Sequence, residues 1–597
     1  MNAIYLVIVA ALVLTLAYRF YGAFMATKVL VLDSNRVTPA VRMNDGHDYV
    51  PTNKWVTFGH HFAAIAGAGP LVGPVLAAQF GYLPGTIWLL VGAVVAGAVH
   101  DMVILFASVR YDGLSIAEIA KKEISKASGI ATSVAVLFIL IITMAGLAIA
   151  VVNALYDSPW GTFTVGVTIP IAIFIGLYLR YLRPGQIGEG TVIGVSLVLL
   201  GVFVGPMVQN SWIAPYFTFS KGQISVMMAV YGFVAAALPV WLLLAPRDYL
   251  STYMKIGTIL ALALGILIVQ PEIQMPAFTS FISGGGPIIP GPAWPFLFIT
   301  IACGAISGFH ALIATGTTSK MLTNEAEIRA VGFGGMLVES FVALMALIAA
   351  TSLFPGDYFA INTTPAVFAT LNMQTLDLNS LSSMVGENVA GRPGGAVSLA
   401  VGMAYIFAKI PGLEHLMSFW YHFCIMFEAL FILTTIDAGT RVGRYLIQEL
   451  GGMVYQPLKD PHWMPGLVGA SALMSFSWGY LVYGGSISTI WPLFGVANQL
   501  LASMSLAIGT TMLFRMGKGR YAWTTITPMS FLAVTTVAAG YLNITTNYLP
   551  KNNYLLAGAS AVMIVLVVFV ISDAVRTWLR ISAEQKANSS PIKTKVG

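Results

Sequence analysis

Apolar residues in this chain run in long stretches separated by short polar loops, and most stretches are long enough for a helix to cross a bilayer. A spanning helix needs about 20 mostly apolar residues. On that measure fifteen segments read as crossings, near 3–25, 55–82, 84–109, 129–155, 164–181, 190–209, 224–245, 256–271, 294–313, 330–354, 415–436, 464–484, 488–514, 521–545 and 554–575. The first begins at Ile4 with no positive residue before it, so it predicts a retained helix and not a cleaved signal. The expected fold class is all-α: a polytopic membrane protein with about 15 transmembrane helices.

Loop charges orient the segments. With the N-terminus outside and strict alternation, the cytoplasmic side collects Lys28, Arg36, Arg42, Arg110, Lys121, Lys122, Arg247, Lys255, Lys320, Arg441, Arg444, Arg515 and the basic C-terminus. The outer loops keep only Lys221, Arg392 and Lys551. That asymmetry is the positive-inside pattern. It also places residues 395–410, apolar but short, as a re-entrant or packed half-helix, because a sixteenth crossing would put Arg441, Arg444 and Arg515 outside. The expected location is a bacterial or archaeal cytoplasmic membrane, with the C-terminus in the cytoplasm.

Three segments carry breaks. Crossing two contains Gly67-Ala-Gly-Pro-Leu-Val-Gly-Pro74, whose two prolines and three glycines forbid a regular helix. Crossing seven contains Leu238-Pro239, and the ninth ends in Ser307-Gly-Phe-His-Ala-Leu-Ile-Ala-Thr-Gly-Thr-Thr-Ser319. Unpaired backbone at membrane depth must face protein or a water-filled cavity. Crossings two and seven lie five apart and run in opposite senses. Two five-helix units of opposite topology, each opened by a broken helix, form the inverted-repeat plan of many secondary transporters. A plain kink at Pro239 is the alternative.

Composition narrows the function. Only 9% of the residues are charged and 57% are hydrophobic, against about 25% charged in soluble domains. The formal charge of +6 follows from the loop pattern and not from a nucleic-acid surface, since no basic cluster is interleaved with aromatics. The two cysteines, Cys303 and Cys424, form no CxxC and predict no disulfide. No GxxxxGK[ST] loop or dinucleotide fingerprint occurs. An enzyme or nucleotide-driven pump is therefore not expected, and gradient coupling remains.

Ionisable groups inside apolar segments are functional suspects. These are His60, His61, His100, Asp101, His310, Glu339, His422 and Glu428, with Asp437 at a segment end. His61, His310 and Glu339 are the proton-coupling candidates, since two of them sit beside broken backbone and His titrates near neutrality. The backbone at Gly67, Gly69, Pro70, Gly73, Pro74, Leu238 and Pro239, with Phe309, is the expected substrate site. Half-helix N-termini there suit a carboxylate. Thr315, Thr317, Thr318 and Ser319 suit a small cation, or merely cap a helix end; Lys320 offers an ammonium in a cation's place. Asp437, Arg441 and Arg444 read as an inner gate or as a capped turn. His60, His61, His415 and His422 are weak metal candidates, the last two at i, i+7; packing alone competes with every histidine reading.

The chain resembles the carbon starvation protein A (CstA) family through Asp48-Tyr-Val-Pro-Thr-Asn, Gly59-His-His-Phe-Ala-Ala-Ile-Ala-Gly-Ala-Gly-Pro-Leu-Val-Gly-Pro74, Ser307 to Lys320, Asp437-Ala-Gly-Thr-Arg-Val-Gly-Arg444 and Trp491-Pro-Leu-Phe-Gly-Val-Ala-Asn-Gln499. The resemblance implies a peptide transporter used under carbon starvation, with close relatives resembling pyruvate/proton symporters. It also implies a LeuT-like fold of the amino acid–polyamine–organocation (APC) superfamily, an inverted five-helix repeat with extra peripheral helices. The expected division is residues 1–54, an N-terminal helix and cytoplasmic loop; 55–210, the first repeat; 224–436, the second; and 437–597, additional helices. The expected partners are the lipid bilayer, a small-molecule substrate (short peptide or pyruvate) and a coupling ion, H+ or Na+. A metal-binding membrane protein and a nutrient sensor without transport are the other readings.

Overall fold

A computed structural model describes residues 1–589 apart from 47, 184–185, 239–241 and 461–462. Among the described residues there is no β-strand, only two isolated bridges. Eleven helices are long and apolar enough to cross a membrane. They are α1 (Ile4–Val29), α4 (Tyr82–Arg110), α5 (Lys126–Leu155), α6 (Pro159–Leu182), α7 (Gly188–Gln209), α9 (Leu244–Val269, apolar from Leu250), α13 (Glu325–Thr351), α15 (Glu414–Gly451), α17 (Ile487–Arg515), α18 (Trp523–Lys551) and α19 (Tyr554–Lys586). The chain is a multi-pass membrane protein.

The remaining elements are shorter or broken. Helices α2 (Lys54–Ile65) and α3 (Gly69–Phe80) meet at 45°. Helix α8 (Lys221–Ala237) is 17 residues long. Three pieces follow one another as α10 (Ala293–Thr300), α11 (Ala302–Ala305) and α12 (Phe309–Gly316). Helix α14 (Ala396–Ala408) has 13 residues, about 20 Å at 1.5 Å per residue, too short for a ~30 Å core. It occupies the 395–410 run that the sequence reads as a re-entrant or packed half-helix. Helix α16 (Met464–Gly484) completes the set.

Contacts between helix ends sort the loops into two groups. At one end, Thr52 bridges Leu322, Arg110 pairs with Glu325 at 2.7 Å, Arg515 pairs with Glu123 at 2.9 Å, and Ser125 donates to Asp573. At the other, Asn2 bridges Glu272, Tyr156 donates to the Gly391 carbonyl, and Tyr548 to that of Thr489. The Arg515–Glu123 ion pair places these two helix ends on the same side of the bundle.

The middle of the bundle is where α5, α15 and α17 pack: α5 against both α15 and α17, and α9 against α15. The lipid-facing helices α1, α6, α7 and α19 are much less buried. Two boundaries differ from the sequence reading. Arg247 and Lys255, assigned to a cytoplasmic loop, lie within α9 and are 1% and 4% exposed. Asp437, Arg441 and Arg444 do not end their helix but continue α15, which runs 38 residues. In both places charge marked a boundary in the sequence, whereas partners on neighbouring helices let the charged residues stay buried.

Glycine allows the broken helix to approach its neighbours. A Cβ on Gly69 would lie 2.5 Å from Cys303 Cβ, and one on Gly73 would lie 2.6 Å from the Thr300 carbonyl oxygen. Gly73→Ala is expected to lower stability by about 1–3 kcal/mol, as overpacking does. Gly59→Ala, which meets nothing within 4 Å, should be neutral or slightly stabilising. Thermal unfolding of both variants in detergent checks this.

Candidate functional site

The first break is local. Ala66 leaves helical geometry at ψ 65°, its N–H still donating to Phe62 O, and the Gly67 N–H turns back to Ile65 O. Helix α3 begins after Ala68 with no side-chain cap and with Pro at its start. A Cβ on Gly67 would sit 3.3 Å from Thr435 Oγ1 of α15, so the turn faces that helix.

The second break is made by a partner. Ile306 is extended (φ −162°, ψ 128°), and no proline interrupts the segment from 296 to 316. Asn498 on α17 takes over the missing helical bonds. Its carbonyl accepts the Gly308 N–H at 3.1 Å, and its Oδ1 accepts the Phe309 N–H at 2.9 Å and the Ser307 hydroxyl at 3.1 Å. Gln499 donates to Phe298 O and Trp491 to Thr300 O. The Trp491–Gln499 segment thus serves as a clamp on α10–α12. The two breaks described lie together: α3 packs on α10 and α11, and α2 on α12. Leu238 ends α8, its carbonyl accepting from Arg441; Pro239 lies outside the described residues. No proline marked the second break because a side chain on another helix makes it.

A small cavity of about 70 Å³ opens where the first break meets α9, α12 and α15, lined by His60, Ala63, Lys255, Phe309, Thr434 and Thr435 among others. The Lys255 ammonium donates to the Ala63 carbonyl at 3.2 Å and to Thr434 Oγ1 at 3.3 Å. It also lies 4.3 Å from the Phe431 ring centroid. A carbonyl, a hydroxyl and a ring face together replace the water a buried ammonium loses. The ammonium offered in a cation's place is therefore that of Lys255. Lys320 instead lies over Tyr49 at 5.4 Å.

The three proton-coupling candidates do not form one unit. His310 Nδ1 lies 2.7 Å from Asp101 Oδ2, and Asp101 Oδ1 lies 2.7 Å from His100 Nδ1. His310 Nε2 faces Glu339 Oε2 at 3.1 Å, with Cys303 alongside. His61 turns to Thr318 Oγ1 at 2.8 Å. Asp101 and His100, noted in the sequence but given no role, are thus central to the buried cluster.

The hydroxyls expected to hold an ion are engaged locally. Thr315 and Thr317 donate to carbonyls four residues back, Thr318 meets His61, and Ser319 accepts from Ser108. Of the metal candidates, His60 meets Thr317. His415 sits in the exposed 3-10 turn that opens α15, and His422 stacks on Trp160 at 3.6 Å. His415 is exposed in that turn while His422 is buried in the α-helical run that starts at Met417.

The gate candidates gain partners. Tyr231 of α8 donates to Asp437 Oδ2 at 2.7 Å, Arg247 bonds the same tyrosine hydroxyl, and Arg247 Nη1 lies 3.5 Å from Asp437. Arg441 donates to the carbonyls of Ala235 and Leu238. Arg444 is buried against Tyr445. Asp437 lies one turn along α15 from Thr434 and next to Ala438, both of which line the cavity, so this ionic group adjoins it.

The family model for carbon starvation protein CstA matches residues 2–539. The chain belongs to the CstA family. It is 54% identical to a peptide transporter CstA of Bacillus subtilis over 97% of both chains, and 52% identical to one of Escherichia coli, covering 90% of this chain and 81% of that one. It is also 43% identical to the pyruvate/proton symporter BtsT of E. coli, covering 98% and 92%. A manganese transporter of Eremococcus coleocola superposes with a TM-score of 0.42 at 13% identity, covering 92% of this chain and 100% of that one. Four of the five motifs quoted for CstA fall on the two breaks, the clamp of the second and the ionic group; the fifth, Asp48 to Asn53, lies in the loop before α2, where the N–H groups of Val50 and Thr52 donate to the carbonyls of Lys320 and Met321.

Breaking a buried ion pair on one side costs about 3–5 kcal/mol. Asp437→Asn, which strips Arg247 of its carboxylate, should lower stability by that order. The Arg247→Met/Asp437→Leu double variant should recover most of the loss. A double-mutant cycle by thermal unfolding checks the coupling.

Proposed function

We propose that this CstA-family protein is a secondary active transporter that imports a small carboxylate-bearing nutrient, pyruvate or a short peptide, together with a proton. The carrying observation is Lys255, a buried cation bonded to the backbone carbonyl of a broken helix in a cavity that Phe309 also lines. The names of the relatives, peptide transporter and pyruvate/proton symporter, support the substrate class. The cavity holds only a few waters, so the smaller solute fits with less opening than a peptide.

We place the coupling proton on Lys255 and not on His61, His310 or Glu339. The Lys255 ammonium already stands among carbonyl and hydroxyl oxygens, the ligands a sodium ion would need. His310 and Glu339 are fully buried and do not line the cavity. Loss of the proton would weaken the hold on the Ala63 carbonyl and free the break to move; the group at Asp437, Arg247 and Arg441 would part on opening toward the cytoplasm.

The same reading gives fifteen passages through a bacterial cytoplasmic membrane, N-terminus outside, arranged as a LeuT-like inverted repeat. Its first half is α2/α3, α4, α5, α8 and α9. Its second is α10–α12, α13, α15, α16 and α17, with α6–α7 as an inserted hairpin. The long helices α5 and α15 pack on each other, and α9 packs on α15 as α17 packs on α5, which supports this pairing.

Uptake of labelled pyruvate and of a labelled dipeptide into proteoliposomes tests the reading. A one-unit inward proton gradient supports up to about tenfold accumulation, about 1.4 kcal/mol. Accumulation should follow the proton gradient, a sodium gradient alone should drive none, and Lys255→Met should abolish the accumulation. Sodium-driven uptake, or full proton coupling in Lys255→Met, would sink the assignment.

A further inference from the structure

The cluster behind Phe309 has a second property that does not depend on transport. Cys303 Sγ, a ring nitrogen of His310 and a carboxylate oxygen of Glu339 all lie within 4.8 Å of one another, on three buried side chains. We propose that Cys303, His310 and Glu339 bind one divalent transition-metal ion, of zinc-like preference, which staples the second helix break.

The hydrogen bonds fix which atoms point inward. His310 Nδ1 is 2.7 Å from Asp101 Oδ2, and that carboxylate is held on its other side by His100 at 2.7 Å. The Nδ1 position therefore carries the proton and donates to Asp101. Nε2 faces Glu339 Oε2 at 3.1 Å without hydrogen-bond geometry, and neither oxygen of Glu339 has a hydrogen-bond partner. A ring nitrogen and a carboxylate that converge beside a thiol in a buried site need a positive charge between them, and either a proton or a metal ion can supply it.

The donor set selects the charge. Thiolate, imidazole and carboxylate are the ligands of zinc, and a carboxylate that uses both oxygens brings the donor atoms to four. Asp101 behind His310 is the outer carboxylate that orients metal-bound histidines. A dication with one thiolate, one carboxylate and a neutral imidazole makes a centre of zero net charge, which suits a site sealed from water.

Placement gives the ion a task. Cys303 lies on α11 before the extended Ile306, His310 lies on α12 after it, and Glu339 lies on α13. Asn498 satisfies the backbone of the break from one side; the metal would tie the two helix pieces to each other and to α13 from within. None of the four histidines singled out in the sequence as metal candidates takes part.

Elemental analysis of the full-length protein purified in detergent tests the site. The expected result is about one zinc per chain, lost in Cys303→Ser and in Glu339→Gln and retained in His422→Ala. Asp101→Asn should weaken binding about 10–100-fold. Cobalt introduced into the wild-type protein should show a thiolate-to-cobalt charge-transfer band, which reads the cysteine ligand without relying on a variant that folds. A monodisperse wild-type protein without stoichiometric metal, or a cobalt spectrum without that band, would overturn the proposal. Metal retained in both Cys303→Ser and Glu339→Gln would overturn it as well.

Discussion

The side chain and backbone of Asn498 let a helix stop in the middle of a membrane. Backbone N–H and C=O groups released there have no water to turn to, and each costs several kcal/mol if left unpaired. Asn498 accepts from Gly308, Ser307 and Phe309 at once, so Ile306 can be extended and Phe309 can begin a new helix. Once α12 starts at that point, Phe309 lines the cavity below the first break and His310 turns toward Asp101 and Glu339. The position of the site and the composition of the buried cluster both follow from that one amide.

Two buried cations extend the same logic to charge. Lys255 and Arg247 stand eight residues apart on α9, about 12 Å along its axis, and both are directed at α15. Each is held by oxygen: Lys255 by Ala63 and Thr434, Arg247 by Tyr231 and Asp437. A buried cation with its partner removed is strongly destabilising, whereas with its partner it is roughly neutral. Such pairs contribute little net stability but tie helix positions to contacts that a proton or a substrate can alter. They lie on α8, α9, α2 and α15, and the last three of these border the cavity.

Much of the architecture is legible in the residues alone. Long apolar runs give the helices, and loop charges order them. The short 395–410 run reads as a re-entrant or packed half-helix, and the helix there has 13 residues. Gly67 to Pro74 announces its own break, because proline and glycine act on the backbone of the residues that carry them.

The sequence by itself determined that the chain is helical, membrane-embedded and broken at Gly67–Pro74, since hydropathy, loop charge and proline act locally. The sequence marked a break near Ser307–Ser319, but tertiary structure decided its place at Ile306 and its cause, Asn498, nearly two hundred positions further along the chain. It alone decided that Arg247 and Lys255 are interior, because their burial depends on oxygens from α2, α8 and α15. It likewise decided that Cys303, His310 and Glu339 converge while His415 and His422 do not. A buried polar group is defined by what surrounds it, and in this protein the surroundings come from distant segments.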